Sequence, residues 1–430
     1  MNLRFVLRCL IVVSIIISSV FLYMYSATEI PAPAQNQDKL QLSSEQRTIR
    51  DADRTVIEKY EKEAEQGDAK AQFNLGLVYC NGMGGVPQNN DRGVSWLMKA
   101  AEQGFSLAQS ELGFRYSEGL CVPQSDENAA MWHRKAAEQG VVTSQFELGK
   151  MYGKGLGVPQ SDENALMWFK KAAAQEDYVI QVQLGDLYSA GEGVPQSDRE
   201  SAMWYEKSAE QGYDVAQFMI GNRYRTGRGV PQSDEKALMW FKKAAEQGNL
   251  MAQFNLGTMY SKGLGVPQNN TEAAIWIEKA AEQGLAEAQS GLGTLYLTGR
   301  GVPQSDEKAV AWYMKAAEQG YAVAQSNLGT LYLKGQGVPQ DDKKAVAWFK
   351  KAAEQGVAPA QFNLGLMYES GLGLPRNLVT AYACYFLAAQ AGYADATTAY
   401  QETEKSLTRT QLRQAQRLIA AWKPGASIPD

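Results

Sequence analysis

The sequence predicts an all-α fold, a solenoid built from two-helix repeats. Three observations carry that expectation. Proline stands at Pro87, Pro123, Pro159, Pro195, Pro231, Pro267, Pro303, Pro339 and Pro375, always 36 residues apart. Around it the same residues return, as in Ala252-Gln253-Phe254-Asn255-Leu256-Gly257, Tyr260, Gly263, Gly265-Val266-Pro267, Trp276 and Lys279-Ala280-Ala281-Glu282-Gln283-Gly284. Within each unit the large apolar residues sit three and four apart, which places them on one helical face. A fixed period of this size marks stacked units that bury a continuous core against their neighbours.

The first helix of each unit carries Gln, Leu-Gly and Tyr, for example Gln253, Leu256, Gly257 and Tyr260. That glycine returns as Gly76, Gly113, Gly149, Gly185, Gly221, Gly293, Gly329 and Gly365. Glycine inside a helix costs about 1 kcal/mol against alanine, so its return points to close helix–helix approach. A Gly-x-Gly stretch such as Gly263-Leu264-Gly265 stops the helix by supplying positive φ. The second helix begins two residues past the proline, at Asn89, Ser125, Ser161, Ser197, Ser233, Asn269, Ser305, Asp341 and Asn377. All are residues whose side chains cap a helix N-terminus. Acidic residues such as Asp234 and Glu235 follow, where they suit the helix dipole. Trp96, Trp132, Trp168, Trp204, Trp240, Trp276, Trp312 and Trp348 then supply large knobs against alanine and glycine holes. The unit ends in Glu-Gln-Gly.

Some units depart from the pattern. The first has an extra loop residue in Asn81-Gly82-Met83-Gly84-Gly85, and the third ends in Gln175-Glu176-Asp177 without the usual glycine. The ninth has Arg376 after its proline and Cys384 in the Trp position. Terminal repeats are expected to be atypical because one side faces water.

The termini differ from the repeats. Arg4 and Arg8 precede an uncharged apolar run from Cys9 to Tyr25, 17 residues long. That is the short limit for a membrane-spanning helix, and the positive flank would stay in the cytoplasm. Residues 1–26 are therefore expected to be a signal anchor or a cleaved signal peptide, Ala32-Pro33-Ala34 being the nearest small-x-small site. Residues 27–43 read as a polar linker, 44–67 as a capping helix, 68–392 as nine repeats, and 393–430 as closing helices and a tail. The expected location is a single pass through an inner membrane with the repeats in the periplasm. Release into the periplasm after signal cleavage is the alternative.

Charged residues make up 21% of the chain and the net charge is −5. No Lys/Arg cluster stands out, so nucleic acid is excluded as an expected partner. Four cysteines are too few for a disulfide-stapled scaffold. Cys80 and Cys121 fall near the loops of adjacent repeats, where an oxidising compartment could join them; free thiols are the favoured reading. His133, the one histidine, fills a slot that other repeats give to Leu97, Phe169, Tyr205, Phe241, Ile277, Tyr313, Phe349 and Tyr385. It therefore reads as packing. One histidine with scattered cysteines makes neither a metal site nor a His-based catalytic set, and no cofactor is expected.

The pattern Ala-x-Ala-Gln-x-x-Leu-Gly-x-x-Tyr-x-x-Gly-x-Gly-Val-Pro, followed by Ala-x-x-Trp and Lys-Ala-Ala-Glu-Gln-Gly, resembles the SEL-one-like repeat (SLR) family. Its members are related to tetratricopeptide proteins. The resemblance implies a right-handed α/α superhelix and an adaptor role, since family members scaffold complexes in signalling, membrane protein quality control and the bacterial envelope. The function expected is therefore a non-catalytic scaffold of the bacterial envelope. Its partners would be envelope proteins or extended peptides, with peptidoglycan association a further expectation and membrane contact through the N-terminal helix.

An enzymatic alternative rests on Ser233-Asp234-Glu235-Lys236 and Ser305-Asp306-Glu307-Lys308, which match the Ser-x-x-Lys of penicillin-binding and β-lactamase-like enzymes. Both serines also occupy the helix-capping position, and no Lys-Thr-Gly or Ser-Asp-Asn accompanies them. A third reading, a eukaryotic endoplasmic-reticulum adaptor, would draw on the sequon Asn269-Asn270-Thr271.

In a tetratricopeptide-like layout the first helices line the concave face. The position after Leu-Gly then points inward, and it reads Leu77, Phe114, Lys150, Asp186, Asn222, Thr258, Thr294, Thr330 and Leu366. Lys150, Asp186, Asn222 and the nearby Arg225 are the expected partner-binding residues, because polar variation amid strict repetition marks a surface free to specialise.

Overall fold

The computed structural model describes residues 44–423 and 425. Their secondary structure is entirely helical, in 21 helices. A capping helix, Ser44–Glu65, leads into nine hairpins. Each hairpin has an A helix, from Ala69–Asn81 in the first to Ala358–Ser370 in the ninth, and a B helix, from Asn90–Glu102 to Leu378–Gln390. Two further helices, Ala394–Lys405 and Arg409–Ala421, close the stack. From Ser44–Glu65 to Ala394–Lys405 each helix packs on the one before and the one after, as a solenoid requires, and Arg409–Ala421 packs back on Leu378–Gln390. The A helices of repeats two and three, and of eight and nine, also touch directly.

All nine expected N-caps are formed, each side-chain oxygen accepting a backbone N–H one turn on. The A-helix glycine does what its cost requires. A Cβ on Gly185 would lie 2.6 Å from the Tyr205 ring, and one on Gly329 would lie 2.6 Å from Phe349. The residue after Trp is thus the knob in each hairpin. Tyr205, Phe241 and Phe349 are fully buried. The tryptophans, expected to be the knobs, pack beside that residue: Trp132, Trp168, Trp204 and Trp240 are buried in the core, and the lysine three residues on lies over each Trp ring. Lys315 is 3.8 Å from the Trp312 centroid and Lys351 is 4.4 Å from that of Trp348.

The second loop glycine fits against the preceding repeat. A Cβ at Gly157, Gly229 or Gly301 would collide with the backbone of Asp126, Asp198 or Asn270. Stacking distance is thereby set by main chain meeting main chain, which only glycine permits.

Among the described residues no helix is long and apolar enough to cross a membrane. The single-pass assignment is corrected accordingly. The longest helix, Ser44–Glu65, has 22 residues but is charge-rich, and the repeat helices are short hairpin arms. The apolar run from Cys9 to Tyr25, on which the anchor and signal-peptide readings rested, lies outside the described residues.

One junction departs from the rest. The B helix of repeat three ends at Ala173, and Glu176 takes φ 60° where other repeats carry glycine. Its contact with the next A helix is the thinnest between successive repeats. At the equivalent Gly140, Gly212 and Gly248 a Cβ would meet open space, so Glu176 bears backbone strain with no packing in return. Glu176→Gly should raise stability by about 1 kcal/mol, read as a higher denaturation midpoint. A lowered midpoint would show that the glutamate is structurally required.

Candidate functional site

The surface built by the A helices of repeats three to five holds the four expected binding residues. Lys150, Asp186 and Asn222 occupy one position in successive A helices, and Arg225 lies one turn beyond Asn222. Their immediate bonds are local. Lys150 pairs with Glu147 on its own helix at 2.8 Å. Asp186 accepts the hydroxyl hydrogen of Tyr205 at 2.6 Å. Arg225 Nη2 donates to Asn222 Oδ1 at 3.3 Å. So Asn222 and Arg225 are brought together, whereas Lys150 and Asp186 share their register without bonding to each other. Burial, and then the Asp186 carboxylate, push the Tyr205 hydroxyl above its ordinary value; Tyr205 stays a donor that fixes Asp186 in place.

The same position behaves differently further along. Thr258, Thr294 and Thr330 turn their hydroxyls back onto carbonyls of their own helices, at 2.9, 3.1 and 3.2 Å. Leu77, at the start of the row, is buried, and Phe114 and Leu366 are its exposed apolar members. Every polar side chain of the row thus has a partner within its own hairpin; those of repeats three to five are longer or charged, and Asp186 and Arg225 are exposed.

Behind this surface lies a residue that sequence reasoning missed. Arg223 is buried in a slot that repeats three and six fill with Met151 and Met259. Its guanidinium reaches into repeat four, to Asp198 at 2.9 Å, Ser189 at 2.8 Å and Ser201 at 3.0 Å. Arg228 and Arg223 together hold the Asp198 carboxyl below its usual range. A charged residue in an apolar helix slot was the available signal, and Ser201 in place of an alanine was its partner.

His133 is buried in the packing slot, its ring against Gly113 and its Nδ1 3.2 Å from Ser144 Oγ. Ser233 and Ser305 cap their helices, accepting the amides of Lys236 and Lys308 at 3.2 Å. The two lysine ammonium groups sit over the rings of Tyr224 and Tyr296. The serine–lysine pairing that nucleophilic catalysis needs is thus not assembled at either copy.

A family model described as the Sel1 repeat matches nine times, at residues 69–105, 106–141, 142–177, 181–213, 214–249, 250–285, 286–321, 322–357 and 358–393. The chain belongs to the Sel1 repeat family. This is a repeat scaffold fold whose members generally bind proteins. The chain is similar to the Sel1 repeat protein from Oxalobacter formigenes, at 35% identity and TM-score 0.59, over 78% of this chain and 98% of that one. It is also similar to c5321, a protective antigen of uropathogenic Escherichia coli with an SLR fold. There the identity is 32% and the TM-score 0.56, over 85% of this chain and 94% of that one. No curated protein matches the chain.

Burial lowers the His133 pKa from 6.5 to about 4. Between those values the unfolded chain binds a proton that the folded chain refuses, so stability falls as pH drops from 6.5 towards 4. The full window is worth roughly 3 kcal/mol. His133→Phe, the residue of repeats three, five and eight, should remove that loss. Melting temperatures of the two proteins should diverge on acidification, and parallel curves would rule the mechanism out.

Proposed function

We propose that this Sel1 repeat protein is a non-catalytic scaffold that grips an extended segment of a partner protein along its A helices. Lys150, Asp186, Asn222 and Arg225 are the contacts that choose the partner. The observation carrying this reading is the contrast along one row: repeats six to eight place a short threonine there, whereas repeats three to five place longer or charged side chains, with Asp186 and Arg225 exposed. Directly packed helices lie about 8–10 Å apart, and the A helices of repeats three to five are spaced more widely than that, so Lys150 to Asn222 spans more than roughly 16–20 Å. A strand-like segment rises about 3.3 Å per residue, and covering the row takes more than about six residues. Opposite charges at Lys150 and Asp186 fix the direction in which such a segment lies. In the right-handed superhelix expected of the family, this row lies on the concave side. One similar protein is a protective antigen of a pathogenic bacterium, which makes bacterial envelope proteins the partner class to search first.

The test is an in-cell crosslinking pull-down with the full-length protein and an Asp186→Ala, Asn222→Ala, Arg225→Ala triple variant. One partner should be enriched by the parent and reduced at least about tenfold by the variant. Equal recovery from both proteins would place binding elsewhere.

A further inference from the structure

Four departures from the repeat meet at the junction of repeats one and two. Residue 121 stands where repeats three to nine carry Gly157, Gly193, Gly229, Gly265, Gly301, Gly337 and Gly373. It keeps that position's left-handed backbone, φ 65°, although it is cysteine, a conformation unfavourable to any residue with a Cβ. Gly93 stands where the other B helices carry alanine or serine, and a Cβ there would overlap Cys80 Sγ. The glycine thus makes room for the Cys80 thiol. Arg115, buried in a slot that repeats three and four give to Met151 and Leu187, donates to Cys121 Sγ at 3.1 Å and to Asn81 Oδ1 at 3.3 Å. Cys121 Sγ lies 3.6 Å from the Cys80 carbonyl oxygen, and the two thiols are in hydrogen-bonding reach of each other. Two repeats along, the same pair of positions is Gly153 and Gly193, where a Cβ on Gly153 would come within 2.8 Å of Gly193 Cα. The main chains here run close enough for two cysteines to be bridged.

We propose that Cys80 and Cys121 form a reversible disulfide between the first two repeats, a modification site for small-molecule disulfides and thiol–disulfide oxidoreductases. Cys121 is partly exposed and Cys80 is buried, so the order of events follows. Cys121 gives up its proton and attacks the reagent R–S–S–R, forming Cys121–S–S–R and releasing the first thiolate. Cys80 then gives up its proton and attacks Cys121 Sγ, expelling the second thiolate. The two released thiolates take up the two protons. Two protein thiols are oxidised by two electrons, and one reagent disulfide is reduced to two thiols. Burial raises the Cys80 thiol to about 12, which makes its attack the slow step and one accelerated by alkali. The bond joins residues 41 apart, a loop long enough for closure to restrict the unfolded chain appreciably. It would staple the first hairpin to the second whatever partner the A helices hold.

The experiment treats folded full-length protein with oxidised glutathione, blocks free thiols, and maps peptides without reduction. The expected product is a Cys80–Cys121 linked peptide pair, with a higher unfolding midpoint that dithiothreitol reverses. Cys80→Ser should stop at one glutathione on Cys121. Cys121→Gly, which restores the glycine of the later repeats, should fold and leave Cys80 unmodified. The proposal is overturned if folded wild-type protein stops at glutathione on Cys121 with Cys80 free, or if neither cysteine reacts.

Discussion

The interaction on which the stack depends is a ladder of buried glutamine side chains. Gln253 Nε2 donates to the Ala245 carbonyl at 3.2 Å, in the last turn of the preceding B helix, where it is a second donor beside the Gly248 N–H. Its Oε1 accepts from Gln283 Nε2 at 2.8 Å, and Gln283 donates also to the Gly248 carbonyl at 3.0 Å. One amide thus ties the end of one B helix, the next A helix and the end of that hairpin's own B helix. The arrangement returns from Gln72 to Gln325, with glutamine–glutamine distances of 2.7–2.9 Å. Buried amides must be satisfied at both ends. Repeats one to eight therefore keep a glutamine at each of two fixed positions, and a change of period would orphan both. The ladder stops where the sequence does: Ala391 replaces the turn glutamine of repeat nine, and Gln361 Oε1 is left buried without a partner among the described residues.

Much of the fold was legible because each part of it is local. Proline, Gly-x-Gly and a capping Ser or Asn act within a few residues of themselves, and nine copies made the signal unmistakable. The glycine before Thr258 or Asp186 was readable as close approach for the same reason. Roles set by the neighbouring repeat were harder to see. Nothing in Glu-Gln-Gly reveals that the glutamine crosses to another helix, and Trp looked like the core knob because it is the largest residue. The residue beside it faces the glycine, while Trp shares its ring with a lysine three residues on. The membrane-spanning expectation drew on Cys9 to Tyr25, a stretch outside the described helices.

The candidate site was legible only as a position. Counting from Leu-Gly located Lys150, Asp186, Asn222 and Arg225 on one surface, because helical periodicity fixes which residues share a face. Their bonds did not follow from counting. Asp186 is held by Tyr205 from the same hairpin, and Arg223 anchors repeat five to repeat four through two serines. Both are tertiary pairings of residues many positions apart. The Ser-x-x-Lys copies show the opposite limit: a catalytic spacing that is also the ordinary spacing of a capped helix start, with the lysine turned to a tyrosine ring.

The glutamine ladder is tested most directly in mid-stack by denaturant unfolding of Gln253→Leu. Leucine keeps the volume and removes both hydrogen-bonding ends, so two buried bonds are lost: the Ala245 carbonyl keeps only the Gly248 N–H, and Gln283 Nε2 keeps only the Gly248 carbonyl. Stability should fall by about 2 kcal/mol. An unchanged or higher stability would contradict the ladder's role, because apolar packing would then be holding the repeats together without it.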